Sequence, residues 1–492
     1  MHPGWILPIR EKTPYYSINT WYSQGYLYLI NLNQMNIKNI TIYILFIGLS
    51  LLFYGCSCQK EATAPTHNTK INQSNEEIVI YTQTVLKNDL ENRLKSFTID
   101  SISPIKITDN LDGQSYDIAI ILNPKDDNKD IKTIYSYDIN LSPEMIKDYF
   151  QDKVPNITIG SIINNDNQIT QAISNYLKQS YKENSPQENK LIFTGCILPS
   201  RWVALRAQQH NDYTYPFKYT ADITKNADMT ISNLETPFAE TGPYTELGMV
   251  FRGDPGLVAG LVFSGIDIVN LANNHLGDSQ RAGMEYTFKL LDENNISYFG
   301  AGKNTKMSRE PLIKEINGIK YAFLGYADTA FTPVSYESGE DYAGLNIMNE
   351  ENLISDLENI KDKADFIIVS MHAGTEYTYN PNAKQISFAH TAIENGASMV
   401  YGHHPHVVQA IEYYKNKPIF YSPGNFSMDQ LERNTQQGFI IELKTMFNQI
   451  VNINLIPYHI YDYSQPKPVE GEEADEIIDN VIGASKILND EK

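Results

Sequence analysis

Apolar residues fall into short runs separated by polar, Asn- and Gly-rich breaks along most of the 492-residue chain. One run stands apart. TIYILFIGLSLLFYG, Thr41–Gly55, carries no charge, follows Lys38 and is shorter than the ~20 residues a spanning helix needs. It reads as the hydrophobic part of a secretion signal ending at Cys56, and QKEATAPTHNTKINQSNEE after it has the composition of a tether. Next, Glu76–Gln83 and Tyr116–Leu122 read as strands with a helix around Leu86–Leu94 between them. IKDYF and ITQAISNYLKQSY add helical segments, which predicts a small α/β domain over 76–181 and a polar linker, KENSPQENK, over 182–190.

From Leu191 onward strand-like and helix-like runs alternate. LIFTG, MTISNL, IDIVNLA, ISYFG, YAFLGY, DFIIVSM, SMVYG and PIFYS are the strands; Arg281–Asn294, Leu353–Lys361 and Lys384–Asn395 are the helices. This alternation predicts an α/β fold over 191–462, closed by the hairpin-like pair GFIIELK and IVNINLIPY. The acidic tail 463–492, with EGEEADEIIDN, reads as a solvated helix.

Composition sharpens this outline. The length favours two folded parts, and an apolar fraction of 42% allows a sizeable core. A net charge of −20 excludes nucleic acid as the expected partner and repels polyanions, unless bound metal reverses the sign locally. Cys56, Cys58 and Cys196 are too few and too far apart for a disulfide framework. Phe53-Tyr54-Gly55-Cys56 resembles a lipobox, with Cys56 as the acylated residue; an uncleaved N-terminal anchor is the alternative. Residues 1–58 are thus an extension plus signal and 59–75 the tether, with Met35 as the expected translation start.

Residues able to carry chemistry come directly after the strand-like runs, where α/β sheets place their sites. They form five clusters: Gly195-Cys196 with Arg201; Ser232–Pro237 around Glu235; Asn273-Asn274-His275 with Asp278; Met371–Tyr377 with His372 and Glu376; and Gly402–His406. Five of the ten histidines lie in three of them. Imidazole, carboxylate and amide oxygen collected from separate strand ends are the ligands of Zn, Mn or Fe. In His404-Pro405-His406 an extended backbone would point both rings at one centre. The alternative for any single histidine is a core or surface residue. Asn425, after Pro423-Gly424, either reaches the site through its amide or caps the turn, and the turn is the favoured reading.

Residues 191–430 resemble the CapA family of bacterial capsule or poly-γ-glutamate synthesis, also called PGA_cap. The resemblance rests on NLETP, LANNHLGDSQRAG, FGAG, HAGTEYTYNP with Gln385, YGHHPHVVQ and YSPGNF, in order. It implies kinship with calcineurin-like metallophosphoesterases: a layered α-β-β-α sandwich holding one or two divalent ions, Mn, Zn or Fe. Carried over by position, it implies Glu235, Asn274, His372, His404 and His406 as metal ligands and His275 as general acid. Asp278 and Gln385 are expected to fix tautomer or orientation, while Arg201, Arg252, Glu376 and Gln385 are the substrate-side candidates. His403 is left out of the shell. The family's first strand ends Gly-Asp; here Cys196 takes the metal-binding place. That substitution implies a softer metal, one ion instead of two, or lost activity, and its alternative is a small buried hydrophobe.

The expectation is a metal-dependent hydrolase of the bacterial envelope, membrane-anchored and extracytoplasmic, acting on an anionic envelope polymer or its precursor. The competing reading is a non-catalytic assembly or polymer-binding factor of the capsule machinery, contacting synthase subunits.

Overall fold

Strand β7 (Asn189–Ile197) is apolar on both faces and every residue but Lys190 is buried, as a central strand of a covered sheet must be. Around it the computed structural model builds two facing sheets. It describes residues 78–95, 105–108, 118–122, 132–137, 140–150, 157–163, 168–240 and 249–490; the signal-like run, Cys56, the tether and Met35 lie outside these. Among the described residues no helix is long and apolar enough to cross a membrane.

The first sheet is five-stranded, in the order β2-β1-β3-β6-β4: β1 Ile78–Thr82, β2 Ile105–Thr108, β3 Ile118–Leu122, β4 Lys132–Tyr137 and β6 Ile157–Ile163. Helices Thr84–Leu94 and Gln168–Glu183 pack on it. Its core includes Met446, Phe447 and Val451, and β5 (Asn140–Ser142) pairs with a strand of the second sheet, so this lobe shares contacts with the C-terminal part of the chain.

The second sheet has nine strands. β10 (Ser297–Phe299), β9 (Ile268–Asn270), β8 (Met229–Leu234) and β7 run parallel, then β20 (Gln437–Met446), β21 (Gln449–Tyr461) and β22 (Gln465–Pro468) are antiparallel; β19 (Asn425–Ser427) pairs with β7, and β5 with β21. The third has six, in the order β12-β13-β15-β16-β18-β17: β12 Leu312–Ile316, β13 Ile319–Ala327, β15 Phe366–His372, β16 Met399–His403, β17 Ile411–Tyr414 and β18 Lys417–Phe420. A short pair, β11 (Ala301–Gly302) and β14 (Gly344–Leu345), stands beside them. The hairpin expected near the C-terminus is β20–β21.

Side-chain alternation sorts the core into layers. Leu191 and Phe193 of β7, Met229 and Ile231 of β8, Phe366 and Ile368 of β15, and Met399 and Tyr401 of β16 share one cluster between the sheets. Phe193 and Tyr401 meet edge to face at 5.2 Å across that gap, worth about 0.5–1.5 kcal/mol beyond their buried area. The opposite face of the nine-stranded sheet packs on helices Arg201–Gln209, Val258–Phe263 and Gln280–Glu293. That of the six-stranded sheet packs on Glu350–Ile360 and Ala383–Glu394. Helix, sheet, sheet, helix: this is the layered sandwich.

The acidic tail is not simply solvated. Its helix, Glu472–Asp490, buries Ile477, Ile478, Val481 and Ile482 in the inter-sheet core and Ala484 and Leu488 in the outer one. The acids cluster in its first turn and on the outer face, where they suit the helix dipole, and the apolar stripe at i, i+1, i+4, i+5 faces in.

Candidate metal centre

Parallel strands β7, β8, β9, β15 and β16 all deliver residues at their C-terminal ends. Glu235 comes immediately after β8, its amide bonded to the Ile197 carbonyl, so the carboxylate is fixed by a backbone hydrogen bond at the strand's end. Asn273 accepts from the amides of His275 and Leu276 and donates to the Leu234 carbonyl, tying the loop after β9 to β8. That tie carries Asn274 and His275 to the site. His372 ends β15 and His403 ends β16, in register with each other.

The cluster they form is compact. Cys196, Glu235 and His372 place ligand atoms within 4.8 Å of one another, and so do Glu235, His404 and His406. Glu235 belongs to both triads. Its Oε1 lies 3.6 Å from His372 Nε2 and 3.7 Å from His406 Nε2. Asn274 Oδ1 is 2.8 Å from His372 Nε2, so the structure brings all six residues expected at a metal together. The rings of His404 and His406 stand 5.8 Å apart, but their backbone is not extended: φ is +98° and +59°. Left-handed conformations of this kind cost about 1–3 kcal/mol each outside glycine and cluster at functional sites.

Charge state and hydrogen bonding fit a cation. Burial first, then the neighbouring imidazoles, holds His372 and His404 well below the ordinary histidine range, and burial alone pushes His403 down to about 3. Neutral imidazole is the form that ligates. Burial, then the Glu235 carboxylate, raises the Cys196 thiol well above its usual range. Glu235 Oε1, His372 Nδ1 and His404 Nδ1 are buried without a hydrogen-bond partner. Unpaired polar atoms of this kind cost about 1–3 kcal/mol each, and a bound cation would relieve the Glu235 oxygen, which faces the imidazole nitrogens of His372 and His406.

Acid sensitivity arises from the same burial. An unfolded imidazole takes a proton near pH 6.5, while folded His403 resists until about 3. Below pH 6.5 the unfolded chain therefore binds a proton that the native state does not. The stability held by neutral His403 is complete above 6.5 and is lost as pH falls toward 3, by about tenfold in the unfolding constant per pH unit. Thermal melts of metal-free protein between pH 6.5 and 4 are expected to show a shallower decline for His403→Gln than for the wild type. Parallel slopes would count against a neutral, buried His403.

A cleft of about 630 Å³ opens beside the cluster, lined by His275, His406, Glu376, Arg201, Phe251 and Trp202 among others. His275 Nδ1 is 2.9 Å from Asp278 Oδ2, which leaves Nε2 as the nitrogen open to a ligand. Asp278 is itself held by the Phe251 amide at 2.7 Å and the Tyr336 hydroxyl at 3.2 Å, and burial, then the Asp278 carboxylate, pushes that phenol up to about 12. Arg201 is the cleft's one Lys or Arg among the described residues, and Asp429 accepts from its Nε at 3.0 Å. Glu376 Oε1 lies 4.0 Å from His404 Nε2.

Two expectations need correction. Arg252 is not part of the cleft lining; its guanidinium donates to the carbonyls of Ala239 and Glu240, where it holds a loop. Gln385 is fully buried and touches neither ligand nor cleft: it closes the capping box of helix Ala383–Glu394 and donates to Gln409. Asn425 does more than turn the chain, since its Oδ1 meets His406 Nδ1 at 2.9 Å and fixes that ring's tautomer. His403, left out of the shell, belongs to neither triad, and its Nδ1 lies 3.6 Å from Cys196 Sγ; Phe331, stacked on His404 at 3.6 Å, was missed altogether. Asn233, within the Ser232–Pro237 cluster but given no role from sequence, donates to Cys196 Sγ at 3.4 Å.

Two facing sheets between helical layers, with histidines and a shared carboxylate at the strand ends, define a layered α-β-β-α sandwich that carries a candidate metal centre. Residues 190–430 match the family described as bacterial capsule synthesis protein PGA_cap. The capsule biosynthesis protein CapA of Bacillus anthracis is 31% identical over 263 residues, 52% of this chain and 63% of its own, so the chain spans less than two thirds of that relative. The PGA biosynthesis protein CapA of Bacillus subtilis is 27% identical over 56% of this chain and 73% of its own. A solved calcineurin-like phosphoesterase, YfkN of Bacillus subtilis, aligns over 62% of this chain and 98% of its own at 12% identity and a TM-score of 0.35, too loose a likeness to carry weight.

Proposed function

We propose that this protein is a metal-dependent hydrolase of capsule or poly-γ-glutamate biosynthesis, anchored outside the cytoplasmic membrane through Cys56. The observation that carries the reading is the sharing of Glu235 by two ligand triads. One carboxylate flanked by two sets of neutral donors is what one or two divalent cations require. Cys196, Glu235, Asn274 and His372 would hold one ion, and Glu235, His404 and His406 the other. Such an ion supplies Lewis acidity toward a phosphoryl or carbonyl oxygen and makes water a usable nucleophile at neutral pH.

The chain's own groups do the rest. His275 lines the cleft with Nε2 open and protonates the departing oxygen or nitrogen; Asp278 fixes the tautomer that makes this geometry available. Arg201, held by Asp429, and Glu376 position the substrate. The cleft's lining carries Glu376, Asp429 and Glu432 against the single Arg201, so without a cation it repels an anionic polymer. Binding of an anionic substrate should therefore depend on metal, in keeping with the site's design.

Asp278→Asn tests the assignment. It should lower kcat on a phosphodiester or γ-glutamyl substrate by about 10²–10⁴-fold, the range for losing general acid catalysis, while metal content stays at the wild-type level. If metal-loaded wild-type protein hydrolyses neither bond, the hydrolase reading fails and the role of a polymer-binding assembly factor takes its place.

A further inference from the structure

We propose that the half-site built on Cys196 is a thiolate site selective for zinc-like cations, and that His403 is the positioning residue that donates a hydrogen bond to its sulfur. This rests on the metal reading above and sharpens it, because the half-site formed by Glu235, His404 and His406 has no sulfur and so a weaker preference.

The strand geometry makes the case. In β7 and β8, Phe193 faces Ile231 but Cys196 faces Asn233, so β7 holds one extra residue between the two pairs. A bulge of this kind re-aims the side chains beyond it. With strict alternation Gly195 would continue the inward series of Leu191 and Phe193; the bulge turns Cys196 inward in its place. On the facing sheet, His372 continues the inward series Phe366 and Ile368, and His403 continues Met399 and Tyr401. Thiol and both imidazoles therefore enter the gap between the sheets from opposite walls.

Within that gap His403 is fully buried, and its ring's one hydrogen-bond contact among the described residues is Nδ1 to Sγ at 3.6 Å, the length of an N–H···S hydrogen bond. Nε2 is buried without a partner, which leaves the contact to sulfur as the ring's only electrostatic satisfaction. Asn233 Nδ2 donates to the same sulfur from the other side at 3.4 Å, and Asn270 fixes that amide at 3.0 Å. With His403 as its Nδ1–H tautomer, two donors converge on one sulfur, an arrangement suited to a negative charge there. A thiol needs neither; a thiolate needs both. His403 itself stays outside the triad whose atoms lie within 4.8 Å, so it acts through Cys196 and not on the cation. Sulfur is a soft ligand that favours Zn²⁺ and its analogue Co²⁺ over Mn²⁺ and Mg²⁺.

Cobalt substitution reads this directly. Full-length protein loaded with Co²⁺ should show a thiolate-to-metal charge-transfer band in the near ultraviolet. Cys196→Asp should lose the band yet still bind cobalt through Glu235, His404 and His406, and its preference for Zn²⁺ over Mn²⁺ in competition should fall about tenfold or more. His403→Gln should keep the band but shift its energy, and weaken zinc about 10- to 100-fold, as loss of a group supporting a ligand does. Cobalt-loaded protein without the band, or with a band unmoved in His403→Gln, overturns the inference while leaving the metal centre standing. Failure of the wild type to bind cobalt at all overturns the hydrolase reading instead.

Discussion

Glu235→Gln is expected to leave a folded protein that retains less than about a tenth of an ion per chain, against one or two in the wild type. The reason lies in its double membership. His404→Ala removes a donor from one triad only, whereas Glu235 is the carboxylate of both and is fully buried. Glutamine keeps the volume and the backbone bond to Ile197 but cannot supply the anion that neutral imidazoles need beside a dication. Removing a buried, half-satisfied carboxylate also lifts a desolvation cost, so the metal-free variant should melt no lower than the metal-free wild type. Elemental analysis and a paired thermal melt check both halves of this expectation. Loss of metal together with collapse of the metal-free fold would mean that Glu235 is structural.

Gly402→Ala should do the reverse, destabilising the protein by about 3 kcal/mol and disturbing the ligands as a consequence. A Cβ on Gly402 would sit 2.2 Å from the Tyr421 carbonyl oxygen and 3.0 Å from its carbon. Those are backbone atoms beside β18, the strand paired with β16, so they cannot swing aside as a flexible side chain would. Relief requires the two strands to part where His403 and His404 begin. Denaturant titration should show the lower midpoint, and metal affinity should fall with it. An alanine variant of wild-type stability would show that the strand ends are looser than the contacts imply.

How much of this was legible in the sequence depends on whether a feature is local. MTISNL maps onto β8 residue for residue, because a short apolar run bounded by polar residues has few other uses in an α/β chain. Helix Gln280–Glu293 lies within a residue of its expected bounds, and the C-terminal hairpin was evident from two adjacent alternating runs. Glu235, His372, His404 and His406 stood out for the same reason, since each ends such a run or sits just after one. The features that escaped were set by register. His403 was given no role at the site because only the pairing of β15 with β16, and the parity it fixes, turns its ring inward. The direction of Cys196 depends on a bulge that no residue type announces. Asn425 meets a histidine 19 residues away, and Arg252 and Gln385 make backbone and capping bonds that only the folded loops reveal. The final helix was misjudged because its acids dominate the composition while its spacing carries the burial.

The most direct test of the shared-carboxylate centre is the metal content of wild-type protein purified without chelators and then equilibrated with Zn²⁺, Mn²⁺ or Fe²⁺. One or two ions per chain, held through gel filtration, is the predicted result. A chain that carries no ion with any of the three would contradict it.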